Sequence, residues 1–259
     1  MHEVERRARL VERLRTDGRV SVAELAEGLD VTPSTIRRDL QRLARDGKLV
    51  RTYGGATLPA AGPATGGPDP ARDAKRAIAR AAAALVMDGT TVAIGSGSTA
   101  LELARQLADR RLTVITNALD VANVLLDRPG IELIVLGGVV RPRMHSMLGH
   151  LAELATEELR ADTLFMGIGA LSVEQGLMND SVPEILVDRA LRRMARQVVV
   201  LADSSKFEQV APGFVFGLDE VDTIITDDAV APDIAAVLRR RPNLQLIVAS
   251  TEPPMGGAS

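Results

Sequence analysis

The feature that most constrains the fold is an alternation of short apolar runs with amphipathic helical patterns after residue 70. The runs have the length and β-branched composition of buried strands. Such strands alternating with helices predict a doubly wound, mostly parallel α/β sheet covered on both faces. The predicted strands are 91–94, 112–115, 131–136, 163–168, 197–202, 222–226 and 244–249. The predicted helices are 74–86, 99–108, 119–126, 151–160, 183–195 and 231–239.

A stretch rich in proline, glycine and alanine separates this region from a smaller N-terminal one. Residues 59–70 carry no charge before Asp69 and show no apolar periodicity, which is typical of a linker. We therefore predict a small domain at 1–58, a larger one at 71–251 and an irregular tail at 252–259.

Composition narrows the class of protein. Hydrophobic residues make up 46% of the chain and charged residues 25%, so both domains can bury a core. The absence of cysteine excludes a disulfide scaffold and thiolate zinc sites, and the three histidines are scattered. No apolar run approaches the roughly 20 residues of a membrane span, and no signal peptide is visible. We expect a cytoplasmic protein without metal or cofactor.

Charge is distributed unevenly between the two predicted domains. The chain carries −3 overall, but residues 1–58 hold twelve arginines and lysines against nine acids, a net +3, and the remainder carries −6. This modest bias places any polyanionic partner at the N-terminus.

The N-terminal region contains signals for three short helices. Residues 4–16 place Val4, Ala8, Val11 and Leu14 near helical spacing. The segment from Ser21 to Glu24 matches a capping box and opens a helix at 22–29.

The third predicted helix has the strongest pattern of the three. Thr32 and Pro33 are typical of an N-cap and a first helical residue, so this helix runs over 33–46. Ile36, Leu40 and Leu43 form its buried stripe. Two helices joined by a tight turn, the second rich in arginine, predict a helix-turn-helix.

A β-rich segment broken by glycines follows, as a wing hairpin would be. The motif from Thr35 to Leu40, together with Gly54, Gly55 and Ala56, resembles the DNA-binding domain of the DeoR family of repressors. The resemblance covers roughly residues 5–57 and implies a winged helix-turn-helix that binds double-stranded DNA.

The candidate DNA contacts follow from the position of each residue on the third helix and the wing. Residues near the start of that helix are candidates for base edges and flanking phosphates, and later basic residues for phosphates. We expect Asp39 to be structural, pairing locally with an arginine. The candidates are Ser34, Thr35, Arg37, Arg38, Gln41, Arg42, Lys48 and Arg51.

The most informative segment of the larger domain runs from Gly95 to Thr99. A strand enters a loop of glycine and hydroxyl residues and then a helix, which gathers free amides and the helix dipole at one point, as anion sites do. The segment also matches a dinucleotide fingerprint, but Asn117 stands where the acidic ribose ligand is needed. A plain tight turn between strand and helix is the alternative.

Polar residues gather where the predicted strands end, and ligands of open α/β sheets bind at that edge. The segments Gly95–Thr99, Thr116–Asn117, 136–138 and 203–207 resemble the effector-binding domain of the same family, which is similar in fold to ribose-5-phosphate isomerase. This second resemblance covers roughly residues 75–228. It implies that the glycine loop holds an effector phosphate and that residues of the other segments line the sugar. The candidates are Gly95, Ser96, Gly97, Ser98, Thr99, Thr116, Asn117, Gly138, Glu184, Asp203 and Lys206.

One departure from the family pattern bears on the effector. The family commonly has an aspartate in the glycine-rich segment after the fourth strand, where this chain has Gly169 followed by Ala170. The change removes an expected acceptor for a sugar hydroxyl.

Two functions of different class follow. The first is a transcription regulator, expected to be a repressor of a carbohydrate-related operon, which responds to a phosphorylated sugar or polyol and has no catalytic residues. A single winged helix gives a small DNA interface, so we expect a homo-oligomer, a dimer or tetramer. The alternative is a sugar-phosphate isomerase domain with a DNA-binding appendage, in which Glu184 and Lys206 would serve catalysis. A nicotinamide-binding sensor is a third reading, and it requires tight binding of NAD(H).

Overall fold

The computed structural model describes residues 6, 7, 9, 10, 13, 19–29, 31–45, 49–52, 55–57, 71–142 and 144–252. The chain divides into two compact units, Met1–Gly62 and Pro63–Ser259. The division falls inside the predicted linker, which lies outside the described residues. The limits of the two domains therefore stay a prediction.

The N-terminal unit combines short helices with a small antiparallel sheet, in which the order of strands is β1-β3-β2. The described residues between 6 and 13 are helical and precede the first strand. This arrangement confirms the predicted winged helix-turn-helix. The elements are β1 Arg19–Ser21, α1 Val22–Gly28, α2 Pro33–Arg45, β2 Val50–Thr52 and β3 Gly55–Thr57.

The buried stripe predicted for the third helix lies in the core of this unit. Ile36, Leu40 and Leu43 of α2 are buried in one apolar cluster with residues of α1 and β1. Leu10 belongs to the same cluster, although the predicted stripe of the first helix omits it. The four residues of that stripe, Val4, Ala8, Val11 and Leu14, lie outside the described residues.

The larger unit is built on a seven-stranded parallel sheet in the order β15-β14-β12-β9-β4-β5-β6. The predicted doubly wound fold is confirmed, and each predicted strand and helix is found with limits shifted by about three residues or fewer. The helices are α3 Arg72–Ala83, α4 Ser98–Leu107, α5 Leu119–Leu125, α6 His150–Glu157, α7 Val182–Met194 and α8 Pro232–Arg239. The strands of this sheet are β4 Thr91–Ile94, β5 Leu112–Thr116, β6 Ile131–Val135, β9 Ala161–Gly167, β12 Ala195–Leu201, β14 Thr223–Asp227 and β15 Gln245–Ala249.

Two apolar clusters lie on opposite faces of this sheet. Residues of α3, α4 and α5, such as Ile78, Leu103 and Leu125, pack on one face. Residues of α6, α7 and α8, such as Ala152 and Leu191, pack on the other. Because helices cover both faces of the sheet, side chains that point to either face are buried, which explains why the strands are apolar throughout.

Two smaller sheets were not predicted. A hairpin is formed by β7 Val139–Arg141 and β8 Ser146–Leu148, and a three-stranded antiparallel sheet by β10 Ala170–Ser172, β11 Gly176–Asn179 and β13 Gly213–Phe216. These strands have only three or four residues, too few to show a period.

The order of strands reverses between β4 and β9. The chain leaves β4 through α4 on one face of the sheet, whereas it leaves β9 toward α7 on the other face. A crevice opens at such a switch point, outside the carboxyl ends of the two strands, and is the usual ligand site of open α/β sheets.

Candidate nucleic-acid interface and effector site

The two helices of the helix-turn-helix begin at side-chain caps. The hydroxyl of Ser21 accepts a hydrogen bond from the amide of Glu24 at 3.1 Å, which is half of the predicted capping box. The hydroxyl of Thr32 accepts from the amide of Thr35 at 3.3 Å, and Pro33 is the first residue of α2. These caps fix where each helix begins and therefore which side chains share a face.

Asp39 anchors α2 to the N-terminal helical residues. Its carboxylate, 2% exposed, accepts from Nε of Arg6 at 2.6 Å and from Nε of Arg7 at 3.1 Å. The expected pairing with an arginine is found, but "locally" was wrong, because these arginines precede Asp39 by 33 and 32 residues. Asp39 thus acts across the unit, holding one side of α2 inward.

The opposite side of α2 is exposed and basic. Its exposed residues follow helical spacing, so they form one stripe. Thr35 is half-buried beside this stripe and bonds the Thr32 hydroxyl at 2.9 Å. Lys48 and the side chain of Arg51 lie outside the described residues, so their contact roles stay predictions. The exposed residues of the stripe are Ser34, Arg37, Arg38, Gln41 and Arg42.

In the larger unit, the glycine loop lies at the crevice between β4 and β9. The amide of Gly95 donates to the carbonyl of Phe165 at 2.9 Å, which ties the loop to β9. Gly97 has φ +123°, a conformation that side chains disfavour, and α4 begins at the next residue. A Cβ on Gly167 would lie 3.5 Å from the carbonyl oxygen of Ser96, so β9 passes close to the loop.

The hydroxyl groups of this loop are available for a ligand. Ser96 and Ser98 are half-buried and Thr99 is 6% exposed. None of the three hydroxyls forms a hydrogen bond within the described part of the chain. They lie beside the first amides of α4, where a helix favours negative charge.

Two polar side chains lie at the end of β5, one with its hydrogen bonds satisfied and one with an acceptor left over. The hydroxyl of Thr116 donates to the carbonyl of Ile94 at 2.7 Å and accepts from the amide of Ala118 at 3.0 Å, so it braces the loop from behind. Asn117 is 2% exposed and its Nδ2 donates to the carbonyl of Met147 at 3.4 Å. Its Oδ1 is buried and has no hydrogen-bond partner among the residues described. Leaving a buried acceptor without a donor costs free energy, so a ligand that donates a hydrogen bond to this oxygen would be stabilised.

Gly138 serves the hairpin that follows β6. Its φ is +110°, and a Cβ there would lie 2.5 Å from the carbonyl oxygen of Leu148. Gly138 therefore allows the two strands of the hairpin to approach, and its predicted contact with the effector remains a prediction.

The hairpin holds Glu184, which is 5% exposed at the first turn of α7. Arg141 lies with Nη1 2.9 Å from one carboxylate oxygen, and the hydroxyl of Ser146 donates to the other at 3.1 Å. His145 lies with Nδ1 2.9 Å from Oδ1 of Asp120. Sequence reasoning missed these contacts, because the partners are 38 or more residues apart or lie in a turn without a pattern.

Lys206 lies in a single turn of 3₁₀ helix, Ser204–Phe207, which follows β12, and Asp203 is the residue that precedes this turn. Asp203 is 3% exposed and accepts from the hydroxyl of Ser205. Lys206 is half-buried, and its ammonium has no partner in the described ranges. Asp227, at the end of β14, holds this turn by accepting from the amide of Ser204 at 2.6 Å.

The segment around Gly169 is closely packed. A Cβ on Gly169 would lie 3.2 Å from Oδ1 of Asn179, whose Nδ2 donates to Asp188 at 3.3 Å. Burial and the neighbouring charge of Glu184 raise the pKa of Asp188 to about 7, although the bond from Asn179 opposes this. Asp188 was missed, and its spacing of four residues from Glu184 on a predicted helix was the available signal.

The structure thus groups the predicted residues in two places. The described DNA candidates lie on or beside one exposed stripe of α2. Most effector candidates lie at the carboxyl ends of the parallel strands, whereas Gly138 lies at the hairpin and Glu184 in the first turn of α7. No group of three or more potential metal ligands occurs within the described residues, and no helix there is long and apolar enough to cross a membrane.

An exposed basic helix on a winged helix-turn-helix, together with a second unit that has a loop of glycine and hydroxyl residues at the switch point of its parallel sheet, defines a class of DNA-binding regulators with a sensor domain. Two family models match the chain: the DeoR-like helix-turn-helix domain over residues 6–61 and the DeoR C-terminal sensor domain over residues 71–228. The chain belongs to the DeoR family.

Relatives of similar length carry names of transcriptional repressors. The putative aga operon transcriptional repressor of Escherichia coli O157:H7 is 34% identical, over 91% of this chain and 90% of that protein. The glycerol-3-phosphate regulon repressor of Escherichia coli K12 is 31% identical, over 92% and 95%. The lactose phosphotransferase system repressor of Lactococcus lactis is 31% identical, over 90% and 94%. The protein is therefore a DNA-binding transcription regulator of a repressor family linked to sugar-related operons.

Among solved structures, ribose 5-phosphate isomerase A of Methanocaldococcus jannaschii overlaps with 53% of this chain and 55% of its own, at 21% identity and a TM-score of 0.40.

Proposed function

We propose that the protein represses a carbohydrate-related operon and that a phosphorylated sugar or polyol, bound at the carboxyl edge of the large sheet, weakens its hold on DNA. The observation that carries the proposal is the loop from Gly95 to Thr99 at the switch between β4 and β9. Its hydroxyls lie beside the first turn of α4 and form no hydrogen bond with another described residue. Hydroxyls, amides and a helix dipole together suit a phosphate.

The groups around this loop suit the rest of such a ligand. Within the described part of the chain, Oδ1 of Asn117 is a buried acceptor without a donor, and a sugar hydroxyl would donate to it. The ammonium of Lys206 has no partner among the described residues, and Asp203 and Glu184 provide buried carboxylates. Sugar hydroxyls are recognised by such a mixture of acceptors and donors.

The ligand acts on DNA binding through the populations of two conformations. An effector shifts such an equilibrium only if it binds one conformation more tightly than the other. We propose that the effector favours the form that does not bind the operator. Two or more copies of the chain would be needed, because one winged helix buries little surface on DNA.

The first experiment is a thermal-shift screen of the full chain against phosphorylated sugars and polyols, each paired with its unphosphorylated parent. A ligand that binds the folded state raises the apparent melting temperature by mass action. We expect phosphorylated compounds to stabilise the protein and their parents to have little effect. Equal stabilisation by a compound and its parent would contradict a phosphate site.

One observation favours the alternative of an isomerase. The carboxyl of Asp188 has a pKa raised to about 7 beside Glu184, and a general base for proton transfer is most effective with a pKa near the working pH. Incubation with pentose and hexose phosphates, followed for aldose–ketose exchange, separates the two functions. We expect no turnover, and turnover that Asp188→Asn abolishes would establish the enzyme.

A further inference from the structure

Two neighbouring helices of the larger unit present an outer face that has no cover within the described chain. Helices α6 and α7 lie on the same face of the sheet and pack against each other. They precede β9 and β12, which are adjacent and parallel, so both helices run in the same direction.

Both helices expose large apolar side chains before their last turns. In α6, Leu151 is 67% exposed and Leu154 is 47% exposed; in α7, Val182 is 67% exposed and Leu186 is 43% exposed. Their spacings of three and four residues put each pair on one stripe, while other side chains of the same helices are buried in the core. Grouped exposed apolar residues of this kind mark interaction surfaces.

The second halves of these helices carry opposite charges. Helix α6 ends at Glu157 and is followed by Glu158, whereas α7 has Arg193 in its last turn. All three side chains are exposed, and none forms an ion pair with another described residue. The face is therefore apolar at one end, and at the other end it carries Glu157 and Glu158 on the α6 side and Arg193 on the α7 side.

We propose that this α6/α7 face binds a second copy of the chain in a two-fold symmetric dimer, with α6 of one copy lying on α7 of the other. A two-fold axis parallel to the helices exchanges the two halves of the face. Leu154 then meets Leu186 of the second copy, and Glu158 meets its Arg193. The surface is therefore complementary to itself, which is what an isologous interface requires. Self-complementarity favours a second copy of the chain over a different partner.

The inference rests on the proposed function only in that a regulator of this kind needs two copies on its operator. The geometry itself comes from the larger unit. A two-fold dimer would present two recognition helices related by the same symmetry, as half-sites of an operator require.

The first experiment is sedimentation velocity of the full chain over a series of concentrations, without DNA or sugar. We expect the wild type to dimerise, and Leu154→Lys and Leu186→Lys each to raise the dissociation constant about ten-fold or more, since each change occurs twice in the interface. Met87→Lys is the matched control: Met87 is 70% exposed outside this face, so dimerisation should be unchanged. All three replaced side chains are exposed, and circular dichroism verifies that the variants fold.

The second experiment exchanges the charges. Glu158→Arg and Arg193→Glu should each weaken dimerisation about five-fold by placing like charges together, and the double variant should restore it. Glu208→Arg, at an exposed site elsewhere, should have no effect.

A monomeric wild type, leucine variants that still dimerise, or a double variant without recovery would overturn the inference. A dimer that fails to bind DNA would overturn the proposed function and leave this interface standing.

Discussion

Helix α2 and the carboxyl edge of the large sheet present functional residues in opposite ways. On α2, the buried stripe of Ile36, Leu40 and Leu43 faces inward, so the basic residues of the same helix necessarily face outward. At the sheet edge, the polar residues come from separate segments, and several of them are buried and held by groups that are distant in sequence, as Glu184 is by Ser146. A surface built on one helix can be read from its period, whereas a site assembled from many segments depends on contacts that no local pattern contains.

The largest expected effect concerns the exposed basic face of α2. The double variant Arg37→Ala/Arg38→Ala should lose about a hundred-fold or more in operator affinity, since each arginine contact to a base or phosphate contributes about 1–3 kcal/mol. Fluorescence anisotropy on a duplex that the wild type selects from a random pool measures this loss. The matched control is Arg239→Ala/Arg240→Ala at the exposed end of α8, which removes the same charge. Equal losses in both variants would mean that net charge, and not the face of α2, determines binding.

The next effect concerns the close packing of the hairpin beside the sheet edge. Gly138→Ala should destabilise the larger unit by about 2–3 kcal/mol, because the new methyl group would meet the carbonyl oxygen of Leu148 at 2.5 Å. Gly137→Ala is the control: φ is also positive there, +76°, but nothing lies within 4 Å of the added Cβ. Its cost should be about 1 kcal/mol. Urea unfolding compares the two, and equal costs would refute the close approach within the hairpin.

A smaller effect separates effector binding from DNA binding. Lys206→Ala should raise the effector concentration needed for release about ten-fold, because a charged hydrogen bond contributes about 1.5–3 kcal/mol. Operator affinity without effector should stay unchanged, and Lys206→Arg should retain part of the response. A Lys206→Ala protein with an undiminished response would show that the ligand lies elsewhere.

The smallest effect is a dependence on pH. Because the pKa of Asp188 is raised from 3.8 to about 7 in the folded protein, the folded state binds more protons than the unfolded state between these values. The stability that this proton contributes is present below about pH 4 and is lost as the pH rises through 7. Asp188→Asn should therefore be more stable than the wild type by on the order of 1–2 kcal/mol at pH 8, with little difference near pH 4. Thermal unfolding at both values measures this, and an equal shift at both would exclude titration of Asp188.

The same contrast explains how much the sequence could predict. The seven strands were found because each is a short apolar run with a β-branched composition, and the helices between them because each has its own helical period. The hairpin of β7 and β8 was missed because three-residue strands have no readable period. The contacts of Glu184 with Arg141 and Ser146, and of Asp188 with Asn179, depend on folding that joins distant segments.

Asp39 combines a feature that the sequence could predict with one that it could not. Its structural role could be inferred from its place on the buried side of α2, but its partners Arg6 and Arg7 could not, since they lie on another helical segment. The proximity of Gly167 to the glycine loop likewise follows from the pairing of β9 with β4, which the order of elements along the chain does not specify.

The most direct test of the account is the dissociation constant of the wild-type protein for its selected operator, measured by fluorescence anisotropy with each phosphorylated sugar or polyol and with its unphosphorylated parent. We predict that at least one phosphorylated compound raises this Kd about ten-fold or more while its parent leaves the Kd unchanged. A Kd that no phosphorylated compound alters, including those that raise the melting temperature, would contradict the account.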